Sequence, residues 1–296
     1  MLGYVGLAVV LAAAGLGLAA TGSSSPPRGG KVEVVAAEDV YGDIAAQIGG
    51  AHVLVRSVLT DPNADPHLFE PGTGTGLAVA QAAVVIQNGA GYDSFMQRLE
   101  DAAPSSGRIV VTIAHVLGVT GTGQNPHLWY DVPALGRIAG AIAAGLGRAD
   151  PAHRAAYHAG LRRFERSLAP LRRRVAAIRR RFGGTAVAYT EPVPGYLLAA
   201  AGLRNLTPAA FSRAIEDGSE PSPQAVAAMT ALFSGRHVRV LLENTQAVSP
   251  ITTRMVAAAR AAGIPVVGVT ETLPAGLGFQ AWQIGQARAL ERALRR

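Results

Sequence analysis

Two proline-framed segments carry the residues with the clearest chemistry. Asp61-Pro62-Asn63-Ala64-Asp65-Pro66-His67-Leu68-Phe69-Glu70-Pro71 and Asn125-Pro126-His127-Leu128-Trp129-Tyr130-Asp131 share an order of proline, histidine, leucine, aromatic residue and acid, with their histidines about 60 residues apart. Proline fixes φ and removes a backbone donor, so both segments read as stiff loops outside any helix interior. An imidazole held in a stiff loop is a good ligand for a divalent transition metal, because little ordering is left to do on binding. Two carboxylates, Glu191 and Glu271, stand just beyond apolar runs at 185–189 and 266–269. Two imidazoles and two carboxylates would give a divalent ion a nitrogen–oxygen shell of net charge near zero. Each residue also has a plainer use. His67 and His127 could cap or pack within their loops, Glu191 could sit exposed beside Pro192, and Glu271 could lie in the N-cap region of a following helix. Ligation is favoured by position, since all four follow segments that read as strands.

The elements that must carry them alternate. Strands are expected over 32–37, 53–59, 83–87 and 109–113, with helices over 40–48, 72–81 and 92–103. Strand, loop and helix recurring about every 30 residues is the βαβ pattern of a parallel sheet, whose ligands bind beyond the C-terminal ends of the strands. A helix over 133–146 has proline in its first turn. Asp150-Pro151 then opens a longer one running to about 181, which Pro170 should kink or divide. After Gly183-Gly184 the alternation restarts, with strands at 185–189, 238–242 and 266–269 and helices at 196–201, 223–233, 251–262 and 280–295. A short variable section begins at Leu206. The expected fold is α/β, with two similar Rossmann-like lobes and parallel-type sheets joined by a long connecting helix. Its expected divisions are a leader and tether at 1–30, an N-terminal lobe at 31–149, the connector at 150–182 and a C-terminal lobe at 183–296.

Composition narrows the function classes. The chain has 296 residues, 49% hydrophobic and 16% charged, which suits a folded protein rather than a disordered one. Its net charge of +7 comes almost wholly from arginine, Lys31 being the only lysine. The arginine run over 172–181 lacks the interleaved aromatics of a nucleic-acid surface and reads as a solvated helix face. There is no cysteine, which excludes disulfides, thiolate zinc sites and cysteine-held iron–sulfur clusters. Residues 1–20 are apolar and small and lead into Thr21-Gly22-Ser23-Ser24-Ser25-Pro26-Pro27, the pattern of an export segment, cleaved or retained as an anchor, although no basic residue precedes it. Residues 18–22 are similar to a lipoprotein processing box with Thr21 in place of the cysteine, so no lipid attaches at position 21. No Gly-x-Gly-x-x-Gly follows the first strand, and neither Gly-x-Ser-x-Gly nor His-Glu-x-x-His occurs, which speaks against dehydrogenases, α/β-hydrolases and zincins.

Taken together, Asp65-Pro66-His67-Leu68-Phe69-Glu70-Pro71, Gln87-Asn88-Gly89-Ala90-Gly91-Tyr92, Asn125-Pro126-His127-Leu128-Trp129-Tyr130-Asp131 and Thr190-Glu191 resemble a known family. They are similar to the metal-binding solute-binding proteins of bacterial zinc and manganese ABC importers, a group that includes adhesin-type lipoproteins. The resemblance runs from about Val32 to the C-terminus. It implies His67 and His127 as the first two metal ligands. Glu191 falls where members assigned to zinc have histidine and those assigned to manganese often have glutamate. Glu271 stands where an aspartate is usual, one methylene longer. Glu243 matches a family glutamate beside the site rather than in it. The histidine-rich acidic loop of many zinc members is missing, its place taken by the short segment 118–124. The implied function is non-enzymatic: a monomer outside the cytoplasm captures Zn2+ or Mn2+ between its lobes and delivers it to a membrane permease, with no role for nucleic acid. A surface adhesin on the same fold is the alternative, and a metal-dependent enzyme with an open coordination position is a third reading.

Overall fold

The computed structural model describes residues 30–63, 66, 69–121 and 123–296; the expected leader and tether through residue 29, Asp65 and His67 lie outside the described residues. Strands β1 (Val32–Glu38), β2 (Val53–Leu59), β3 (Val84–Gln87) and β4 (Ile109–Thr112) form a parallel sheet in the order β2-β1-β3-β4. Strands β5 (Ala186–Tyr189), β6 (Arg204–Asn205), β7 (Leu241–Asn244) and β8 (Val266–Val269) form a second, also parallel, in the order β6-β5-β7-β8. The central strands of the first sheet are mostly apolar, buried throughout in β3 and nearly so in β1, as expected of parallel strands covered on both faces. The first lobe carries helices α1 (Asp39–Gly49), α2 (Thr73–Gln81), α3 (Ser94–Ala102), α4 (Ile113–Leu117) and α5 (Leu135–Ala149).

Between the lobes run α6 (Arg154–Ser167) and α7 (Ala169–Phe182), with Leu168 alone between them. The two are one long helix bent at Pro170, which has no N–H for the Arg166 carbonyl and whose ring would crowd it. At Gly160 on α6 an added Cβ would lie 2.1 Å from the Ile48 carbonyl oxygen of α1, so that crossing depends on the missing side chain.

The second lobe adds α8 (Gly195–Ala200), α9 (Ala209–Glu216), α10 (Pro223–Ser234), α11 (Pro250–Ala261) and α12 (Phe279–Leu294). Ser222 caps α10 at the Ala225 amide and Ser249 forms a capping box with Thr252 on α11, fixing where both helices start. A single apolar core runs from β1 and β3 through α5, α6 and α7 into α8 and α12, and a smaller one fills the other face of the second sheet beneath α10 and α11. Three polar straps cross between lobes at α1. Both Asp39 carboxylate oxygens accept from the Leu273 amide, Asp43 accepts from the Phe279 amide, and Gln47 and Gln280 exchange amide hydrogen bonds.

The structure departs from the sequence reading in a few elements. α4, β6 and α9 were not expected, being short. β7 starts at Leu241 rather than at 238 and reaches Asn244. Residues 239 and 240 do bond β5, through Arg239 N–H to Ala186 and Val240 C=O from Ala188, but without a continuing ladder.

Candidate metal centre

Both sheets reverse their order of connection between the first and third strands, which opens a crevice beyond the strand ends. In the second sheet Tyr189 pairs with Leu242, so Glu191, two residues past that pair, comes level with Asn244. Glu271 stands two residues beyond β8. His127 enters from the first lobe, on a loop closed by the buried helical turn Leu128–Tyr130. One ligand atom from each of His127, Glu191 and Glu271 lies within 4.8 Å of the others, and all three residues are buried.

The cluster is tightly held. His127 Nε2 lies 3.0 Å from Glu271 Oε2, while Nδ1 lies 2.8 Å from Asn125 Oδ1. The Asn125 amide also donates to the Pro192 carbonyl, linking the histidine loop to the segment after Glu191. Tyr92 Oη donates to Glu271 Oε2 at 2.8 Å. Asn244 Nδ2 donates both to Glu191 Oε2 and to Glu271 Oε1, placing one amide between two carboxylates that would otherwise repel each other. Gln246 Oε1 accepts from the amides of Glu271 and Thr272, which fixes the backbone of that loop. Tyr92 and Trp129 meet the His127 ring edge to face at 5.7 and 5.5 Å, so apolar surface surrounds the polar atoms.

Burial and charge act against each other here. Burial pulls the His127 imidazolium down, but the hydrogen bond and charge of Glu271, with Glu216 and Glu191 beyond, outweigh it and raise its pKa above 6.5. Burial and the neighbouring Glu271 push the Tyr92 hydroxyl far up, which keeps it a neutral donor. A neutral imidazole and two carboxylates offer a divalent cation one nitrogen and up to four oxygens, with most of the dehydration already made good by fixed dipoles.

Of the residues singled out from sequence, His127, Glu191 and Glu271 come together, while His67 lies outside the described residues. Glu243 is not in the cluster. It adjoins Asn244 on β7, so strand alternation turns it to the other face, where burial raises its pKa and Arg260 opposes the rise. Sequence reasoning missed the work of Tyr92, Asn125, Asn244 and Gln246. For two of them a signal was present, since Tyr92 and Asn125 end and begin two of the quoted motifs; Asn244 at the end of β7 and Gln246 just past it carried none.

Comparison with known proteins places this geometry. Residues 34–293 match the family model described as zinc-uptake complex component A, periplasmic. The manganese-binding lipoprotein MntA of Bacillus subtilis (strain 168) is 26% identical over 167 residues, 54% of this chain and 54% of the relative. A putative metal-binding protein of Treponema pallidum (strain Nichols) is 27% identical over 189 residues, 56% of this chain and 58% of the relative. The chain thus aligns with little more than half the length of these curated relatives. The fold matches that of the periplasmic zinc binding protein TroA from Treponema pallidum with a TM-score of 0.74 at 19% identity, over 90% of this chain and 100% of that one. FpvC from Pseudomonas aeruginosa in complex with Mn2+ gives 0.74 at 21% identity, over 90% and 98%. The family is one of solute-binding proteins, not of catalysts. With the family model matched over 34–293, this chain belongs to the zinc-uptake complex component A family of periplasmic binding proteins.

Proposed function

We propose that this protein works outside the cytoplasm as the binding component of an ABC importer, capturing a divalent transition metal between its lobes and delivering it to a membrane permease. The buried cluster of His127, Glu191 and Glu271, drawn from both lobes, carries the reading. His67 completes the shell as a second imidazole from the first lobe. The segments 31–149 and 183–296 act as the two jaws, and 150–182 as the spine that joins them.

On binding, His127 Nε2 gives up any proton it shares with Glu271 and turns its lone pair to the ion. Asn125 Oδ1 keeps the proton on Nδ1, the tautomer that frees Nε2. Glu191 and Glu271 supply the negative charge, and Asn244 holds them apart until the ion replaces its role. Zn2+ and Mn2+ both fit this donor set: intrinsic affinity favours zinc, and the oxygen-rich shell favours manganese relative to a site of three histidines. Relatives described as manganese-binding and zinc-binding lie on either side of that choice.

The test is direct. Metal-free protein titrated with Zn2+ and with Mn2+ is expected to bind one ion per chain, and His127→Ala to bind at least 100-fold more weakly. A His67→Ala variant is expected to lose affinity as well. Binding undiminished in His127→Ala, or no uptake of either metal by the wild type, would overturn the proposal.

A further inference from the structure

The three clustered ligands are almost fully buried, Glu191 and Glu271 at 1% and His127 at 0% exposure. An ion must therefore cross a wall of protein to reach them. A cavity of about 840 Å3 lies against that wall, lined from the first lobe by Gly91, Tyr92 and Asn125 and from the second by Tyr189, Glu216 and Asp217. It runs from an exposed rim at Gly91 and Asp217 to the buried Tyr92. Two of its lining residues touch the cluster directly: Tyr92 donates to Glu271, and Asn125 faces His127 Nδ1.

The charges on this cavity are arranged for a cation. Glu216 is the last residue of α9 and Asp217 its C-cap, at the end where the helix already presents unsatisfied carbonyls and partial negative charge. Carboxylates there do not stabilise the helix, and they deepen the negative potential of the cavity. Arg213 is the cation among the lining residues, against these two acids. The charge of Glu216 also reaches the His127 ring.

Resting on the import reading, we propose that Glu216 is a transient ligand, the carboxylate that takes a partly dehydrated divalent cation from the cavity and passes it to the buried cluster, and so sets the rate of capture and release. A relay of this kind lowers the barrier in both directions and leaves the equilibrium almost unchanged.

Stopped-flow measurement of Mn2+ and Zn2+ binding, with release followed by chelator chase, tests it on the full chain. Glu216→Gln is expected to slow capture and release alike, each roughly five- to tenfold, with affinity within about twofold of wild type. Glu216→Asp should restore most of both rates. In case Glu216→Gln fails to fold, Asp217→Lys at the exposed rim should slow capture by repulsion, and added salt should relieve the effect. Unchanged rates in Glu216→Gln, or in Asp217→Lys where that variant stands in, would overturn the relay. So would a loss of affinity carried by faster release, which would make Glu216 a permanent ligand. Absence of equilibrium binding in the wild type would instead sink the import reading, and the relay with it.

Discussion

At the residue scale the site depends on amides as much as on its ligands. Asn125 uses both ends of its side chain, the oxygen toward His127 Nδ1 and the nitrogen toward the Pro192 carbonyl. Removing it frees the imidazole to rotate or change tautomer and unpins the histidine loop from the opposite lobe. Asn125→Ala should weaken metal affinity roughly 10- to 100-fold while the melting temperature of the metal-free protein moves far less. Isothermal titration beside thermal melts checks both halves, and an unchanged affinity would contradict the role given to Asn125. The same cluster sets a pH dependence. Burial lowers the His127 pKa, Glu271 and the more distant acids raise it further, and the net position is above 6.5. Metal needs the deprotonated ring, so affinity should fall as pH drops through that raised value, up to about tenfold per unit for each proton displaced. The stability of the metal-free protein runs the other way. The stabilisation from this group is fully present below 6.5 and is lost as pH rises through the folded-state pKa. Titrations and melts between pH 5.5 and 8.5 read both signs. Much of this was legible in sequence, because histidine beside proline and glutamate after a strand announce themselves. Asn244 did not, since an asparagine at a strand end looks like any turn residue until its neighbour across the sheet proves to be Glu191.

At the element scale the close packing of α1 against α6 is the most demanding feature. A methyl group at Gly160 would press on the Ile48 carbonyl, which is backbone and cannot swing aside. Gly160→Ala is therefore expected to destabilise the protein by about 1–3 kcal/mol, an overpacking effect that denaturant unfolding would register. Stability equal to wild type would mean that the helices can slide apart without loss. The sequence revealed the longer elements because their patterns are strong: the valine-rich strands, the Ser-Pro start of α10, and the bend at Pro170. It hid α9, eight residues long with few buried side chains, and blurred the start of β7, where apolar residues lead into the strand before its ladder begins. Short elements take their conformation from what they pack on, and that information is not local.

At the scale of the whole molecule, two lobes of one topology share a single core, so relative motion must be small or must break apolar contacts near the spine. Local alternation was enough to foresee two parallel sheets and a helical connector. The way α1 ties the lobes together was not visible, because Asp39 and Leu273 stand 234 residues apart and neither belongs to a motif. Those ties also make the protein its own clock. The Leu273 and Phe279 amide protons are donated from one lobe to carboxylates of the other, Asp39 and Asp43, so lobe separation exposes both at once. In hydrogen–deuterium exchange the two should lose protection at a common rate in the metal-free protein and slow together when Mn2+ or Zn2+ is added. Independent rates would show that the lobes do not part as units. A common rate would give the breathing frequency of the cleft, read from two backbone protons that belong to no ligand residue.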